Sequence, residues 1–203
     1  GTGCCIGNNY FGVICYADDI CLLSPSVTGL QQMIDKCELF GKEYGALIVN
    51  FLRHAKTETT SSSGKDYDRN LAPKGRDQCE EIKKILNGIL SVETKIYCSA
   101  ARRTRQTAGL IFGNQRSVSY FEELYLSNKE TILEFICSQE SSEEILIIGH
   151  NFGISELASY LSGSQVVMKT SGFIRLEFPN FSITELSAST GVIQTIHRCD
   201  IDY

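Results

Sequence analysis

The chain has 203 residues, a formal net charge of −5, 42% hydrophobic and 21% charged residues, so it can bury one substantial core but not two. Residues 1–50 carry two Lys against five acids and the rest 17 basic against 19 acidic residues, which leaves no basic footprint for nucleic acid. No apolar run approaches the roughly 20 residues of a membrane helix, so neither nucleic acid nor membrane is expected as a partner.

In chain order, Gly12 to Leu23 (GVICYADDICLL) reads as two short β-rich runs around Ala17-Asp18-Asp19. Ser24-Pro25-Ser26 punctuates, and Val27 to Tyr44 has helical spacing, with Leu30, Met33, Ile34, Cys37 and Phe40 on one face. A new pattern starts near Ala46. ALIVNFL is an apolar run broken only by Asn50 and halted by Arg53-His54, as in a strand buried on both faces. A polar loop, 57–66, follows, and Ala72-Pro73-Lys74-Gly75 leads into a helix over about Arg76–Leu90.

The spacing then predicts a strand at Lys95–Cys98, a helix at Arg102–Ile111, a strand at Ser117–Phe121 and a helix at Lys129–Cys137. These are followed by a strand at Ile145–Ile148, a helix at Ile154–Leu161, and strands at Gly172–Phe178 and Val192–Ile196. Strand and helix in alternation imply an α/β fold, three layers α/β/α around a largely parallel sheet, preceded by a short hairpin-helix fragment. The expected division is residues 1–45 and 46–203.

Arg53-His54 stands just past the end of the first strand of this alternation, and Gly149-His150-Asn151 just past a later one. Between them, Ser99-Ala100-Ala101-Arg102-Arg103-Thr104-Arg105 ends another strand and opens a helix. The carboxyl ends of strands in open α/β sheets are where ligands bind, so two imidazoles and several guanidiniums are expected at one sheet edge. That set suits phosphoryl transfer. A neutral imidazole nitrogen attacks phosphorus while guanidiniums and a second imidazole hold the charged oxygens. No metal or other cofactor is needed if Arg and His neutralise those oxygens. Lys56 and Thr57 lie within reach of a bound phosphate. His197, beside Arg198 without a partner motif, reads as structural or exposed, and Asp68 and Arg69 read as fixing the loop before the helix.

The segments RHAKTE (53–58), DYDRNLAPKG (66–75), YCSAARRTRQTA (97–108), LIIGHNFGISELA (146–158) and KTSGFIRLEF (169–178) resemble, in order, those of the histidine phosphatase superfamily, which includes the phosphoglycerate mutases. The likeness is greatest to its SixA-like phosphohistidine phosphatase branch and spans about 150 residues. The resemblance implies that His54 is the phosphorylated nucleophile and that Arg53, Arg103 and His150 hold the phosphoryl group; Lys56, Thr57 and Asn151 are expected as substrate contacts. Arg103 matches the family's arginine better than Arg102 or Arg105. Ala100 stands where the family usually has Pro. Larger members use a Glu as general acid, and Glu122 and Glu123 occupy a comparable stretch. The implied enzyme is a metal-independent phosphatase acting on a phosphorylated protein or a small phospho-compound, with a phosphoglycerate mutase and a silent phospho-binding module as alternatives.

Around Tyr16-Ala17-Asp18-Asp19, residues 10–45 resemble the palm segment of reverse transcriptases of non-LTR retrotransposons. Two-metal chemistry needs a further carboxylate, and the fifteen residues before Tyr16 contain no acid, so the fragment is expected to be inactive as a polymerase. Nine Cys without metal-ligand spacing read as reduced thiols. With no charged segment leading into an apolar one at the start, a cytoplasmic location is the default expectation.

Overall fold

In a computed structural model, residues 21–36, 46–140, 142–179 and 181–198 are described in full, and 4–6, 9–11, 13–16, 19–20 and 37–43 as backbone elements. The chain divides into two units, Gly1–Gly45 and Ala46–Tyr203.

The first unit holds two antiparallel pairs, β1 (Cys4–Ile6) with β2 (Asn9–Phe11) and β3 (Val13–Tyr16) with β4 (Asp19–Leu22), then helix α1 (Val27–Glu43). The expected hairpin is β3–β4, with Tyr16 opposite Asp19; Ala17 and Asp18 lie outside the described residues. Ser26 caps α1, its Oγ accepting from the Gly29 amide at 3.0 Å.

The second unit is built on β5 (Ala46–Arg53), which lies between β8 (Glu144–Gly149) and β9 (Phe173–Pro179). With β6 (Lys95–Ser99), β7 (Val118–Phe121) and β10 (Val192–His197), the sheet order is β10-β9-β5-β8-β6-β7. The β5–β8, β8–β6 and β6–β7 pairs are parallel; β9 and β10 run antiparallel at one side.

Alternation along the strands sorts their side chains into two cores. On one face Val49, Phe51, Ile145, Ile147, Ile174 and Leu176 pack with Ile136 of α4 (Lys129–Cys137) and Leu157 and Leu161 of α5 (Gly153–Ser162). On the other, Leu52, Leu146, Ile148, Ile96 and Cys98 pack with Cys79, Ile82 and Leu86 of α2 (Pro73–Ile89) and Ile111 of α3 (Arg102–Phe112). Both faces are covered, which makes the expected three layers.

Helix α2 begins three residues before the predicted start, because Pro73 takes a first-turn position where no amide donor is missed. Gly75 is then required inside the helix. A Cβ there would stand 2.0 Å from the Lys56 carbonyl oxygen. Among the described residues no helix is long and apolar enough to cross a membrane.

Candidate active site

Because β5, β8 and β6 are parallel, their last residues Arg53, Gly149 and Ser99 share one sheet edge, and the chain continues there into His54, His150 and the start of α3. The expected convergence of imidazoles and guanidiniums is observed. The rings of His54 and His150 lie 5.2 Å apart between centroids.

His54 is buried, with 8% of its surface exposed. Its Nδ1 is 2.8 Å from the Ala55 carbonyl oxygen. A carbonyl only accepts, so Nδ1 carries the proton and Nε2 keeps the lone pair. Burial holds this imidazole down at about 3 against the opposing pull of the Ala55 hydrogen bond, and the charges of Arg103, Arg53 and Arg69 depress it further. At neutral pH His54 is therefore an uncharged imidazole with a lone pair on Nε2.

The backbone of Arg53 and His54 is pinned from two sides. The His54 amide donates to Gly149 O at 3.1 Å, the His54 carbonyl accepts from Ser171 N at 3.1 Å, and the Arg53 amide donates to Gly172 O at 3.0 Å. Next along, Ala55 N donates to Thr107 Oγ1, and Lys56 N to Gln78 Oε1, so α3 and α2 both hold the segment after His54.

His150 takes the opposite tautomer. Arg103 Nε donates to its Nδ1 at 3.2 Å, which leaves Nε2 as the donor to Ser99 Oγ at 2.8 Å. Burial, then the charges of His54 and Arg103, hold His150 down at about 2, so it too is neutral. Tyr125 lies edge-on to it, ring centroids 5.5 Å apart.

Arg103, 2% exposed, is committed to the loop before α2: Nη1 donates to Asp66 O at 2.7 Å and Nη2 to Asp66 Oδ2 at 2.9 Å. Asp66 also accepts from Arg69 Nη1 and from the Tyr125 hydroxyl, each at 2.9 Å. Desolvation alone would raise its carboxyl, but the hydrogen bonds from Arg69 and Tyr125 and the charge of Arg103 hold it down at about 2. Arg53 donates from Nη1 to Met168 O at 3.0 Å, while its buried Nε has no partner; nor has the buried hydroxyl of Ser171.

The remaining candidates are placed as follows. Lys56 is exposed at the rim. Thr57 is buried, its hydroxyl accepting from Arg69. Asn151 turns into the protein, Nδ2 donating to Met168 O at 2.8 Å and Oδ1 accepting from Ser155 Oγ. Glu122 is exposed and accepts from the Tyr67 hydroxyl at 2.7 and 2.9 Å, and the Tyr67 ring meets that of Tyr125; Glu123 is exposed. His197 lies on the outer strand β10 with Nε2 3.5 Å from Glu81 Oε1. Asp66, Ser99, Tyr125, Thr107 and Ser171 went unread in the sequence. Only Thr107, one helical turn after Arg103, had a local signal.

Residues 49–125 match the histidine phosphatase superfamily (branch 1). A protein from Nakamurella multipartitia assigned as the phosphohistidine phosphatase SixA superposes with a TM-score of 0.67 at 23% identity, covering 76% of this chain and 96% of that one. Residues 46–198 have the histidine phosphatase fold. The protein histidine phosphatase SixA bound to tungstate gives a TM-score of 0.60 at 16% identity over 75% and 97% of the two chains. Phosphoserine phosphatase from Entamoeba histolytica, with 3-phosphoglyceric acid, gives 0.54 at 14% over 76% and 98%. By sequence, an uncharacterized chloroplastic protein of Arabidopsis thaliana is 29% identical over 153 residues, 69% of this chain and 70% of that one. In this fold the matched segment carries Arg53, His54, Asp66, Arg103 and both candidate acids, and His150 joins them from beyond it.

Proposed function

We propose that the 46–203 unit is a member of the histidine phosphatase superfamily, a phosphatase that works through a phosphohistidine at His54. The observation that carries this reading is the tautomer of His54: Nδ1 is tied to the Ala55 carbonyl, which leaves the lone pair on a neutral Nε2, and the neighbouring Arg53 keeps a buried Nε without a partner.

In the first step Nε2 attacks phosphorus and the bond to the leaving group breaks, its electron pair going to the leaving atom. Arg53 neutralises the oxygens, and Arg103 with His150, whose hydrogen bonds run to Asp66 and Ser99, adds its positive charge to the same edge. A nitrogen leaving group from phosphohistidine needs little help from an acid; an oxygen leaving group takes a proton from Glu122 or Glu123. In the second step water attacks phosphorus, the P–N bond breaks and His54 regains its lone pair. The supported substrate is a phosphorylated protein, in particular phosphohistidine, or a small phospho-compound.

The test is phosphate release from a phosphohistidine substrate in EDTA, compared between the native chain and His54→Ala. Release that is lost in the variant, with an acid-labile phosphoenzyme trapped only in the native chain, is expected. A folded native chain inert towards phosphohistidine and phosphomonoesters alike would instead make the unit a silent phospho-binding module. For residues 1–45 the proposed origin is the reverse-transcriptase palm fragment, a reading supported by the resemblance around Tyr16-Ala17-Asp18-Asp19.

A further inference from the structure

The charges around the phosphoryl site do not add up to a strongly cationic pocket. Arg103 spends Nη1 and Nη2 on the carbonyl and carboxylate of Asp66 and Nε on His150. Arg69 spends Nη1 on the same carboxylate and Nε on Glu58 O at 2.7 Å. Arg105 donates Nε to Ala100 O and lays its guanidinium over the Tyr120 ring, 4.3 Å from the centroid. Both histidines are neutral. Arg53 is the guanidinium in this group with a buried N–H still unpartnered. Asp66 is itself held on every side: by Arg103 from α3, by Arg69 from its own loop, and by Tyr125, whose neighbour Tyr67 is bonded to Glu122.

We infer that Asp66 is the charge-specificity residue of this site: its carboxylate takes Nη2 of Arg103 while its backbone carbonyl takes Nη1, so the pocket accepts a single phosphoryl group and selects against a second anionic group on the carrier. The proposal rests on the phosphatase reading for the identity of its substrates. It narrows the class to a phosphoryl group on a neutral or cationic carrier, such as an imidazole or a side chain without neighbouring acids, and away from bisphosphates and phosphocarboxylates. The physical reason is that a fixed anion within one side chain of the bound oxyanion disfavours each added negative charge. Removing it at a partly solvated site changes the binding of one extra anionic charge by on the order of tenfold.

Two tetrahedral oxyanions of nearly equal size, tungstate and perrhenate, differ by one charge at fixed pH and need no catalysis to be measured. Their dissociation constants for the full chain would be compared by calorimetry with those for Asp66→Asn, which keeps the side-chain shape, and for Tyr125→Phe, which removes one donor from the carboxylate. The expected result is that Asp66→Asn raises the preference for tungstate over perrhenate on the order of tenfold, whereas Tyr125→Phe leaves the carboxylate in place and changes the preference less. An equal change in both affinities, with thermal unfolding unaltered, would make Asp66 a loop anchor and overturn the inference. So would failure of both ions to bind the native chain at millimolar concentration. If Asp66→Asn unfolds the chain, Tyr125→Phe decides: a shift toward perrhenate, as the carboxylate loses a donor and its charge is less neutralised, supports the inference, and an unchanged ratio overturns it. Phosphohistidine hydrolysis is read separately, so an inactive chain that still discriminates the two oxyanions would sink the phosphatase reading and leave this one standing.

Discussion

Acidification from pH 7 to pH 5 is expected to remove about 4 kcal/mol of the stability of the 46–203 unit, through two groups. His54 and His150 are held down at about 3 and about 2 in the fold, against 6.5 for the free imidazole. Their folded values lie below their unfolded ones, so the unfolded chain takes up protons first. Stability is thus full above about pH 6.5, falls as the pH drops below it, and goes on falling until the folded groups titrate. Each histidine that stays neutral in the fold at pH 5 contributes a loss of about 2 kcal/mol over this range, a figure that requires only that both folded values lie well below 5. Against a total of about 5–15 kcal/mol for a domain, the loss is large. Urea unfolding followed by circular dichroism at pH 7, 6 and 5 measures it. His54→Asn/His150→Asn supplies the control, because the double variant should lose less than about 1 kcal/mol across the same interval. Equal midpoints at pH 7 and pH 5 in the native chain, or the same slope in the double variant, would refute the reasoning.

Gly75→Ala is expected to destabilise the unit by about 3 kcal/mol or more and to depress activity in the fraction that folds, since its Cβ would meet the Lys56 carbonyl oxygen at 2.0 Å, two residues from the nucleophile; a melting temperature within 2 °C of native, read by calorimetry at about the precision this needs, would show that the helix gives way cheaply. Glu144→Ala probes the far end of the sheet. Glu144 is buried and accepts from Asn50 Nδ2, Ser91 N and Thr94 Oγ1 while pairing with Arg175. Its removal strands the guanidinium and is expected to cost about 3–5 kcal/mol in denaturant titration, with turnover per folded molecule unchanged because β8 separates it from His150 by about 20 Å.

How far the sequence could be read depended on the range of the interactions involved. Helix α4 falls on the expected residues, Lys129–Cys137, because Asn128 caps it through a local bond to Thr131 N and its apolar face repeats within the segment. The end of β5 is marked by a change from apolar residues to Arg-His, and that alone located the strand that leads into His54. The direction of β9 had no such mark: Phe173–Pro179 is as apolar as a parallel strand, and only its pairing across β5 shows it to be antiparallel. Asp66 was passed over for a similar reason. It sits 37 residues from Arg103 in a polar loop where one carboxylate looks like another. Asn151 follows His150 in the chain, and its amide faces inward to Met168, a contact no local pattern announces.

That inward contact bears on which insertions the chain can tolerate. Met168 O accepts from both Arg53 Nη1 and Asn151 Nδ2, and Met168 N accepts its place by donating to Ser155 Oγ. A single carbonyl in the connection from α5 to β9 thereby sets the register of two loops that approach the site from different strands. Surface connections usually vary freely in length, but this one behaves as a ruler. Adding or removing a residue between Ser164 and Met168 would bring a different carbonyl to the arginine, so evolution or engineering can lengthen this domain at the tip of the 57–66 loop far more readily than here.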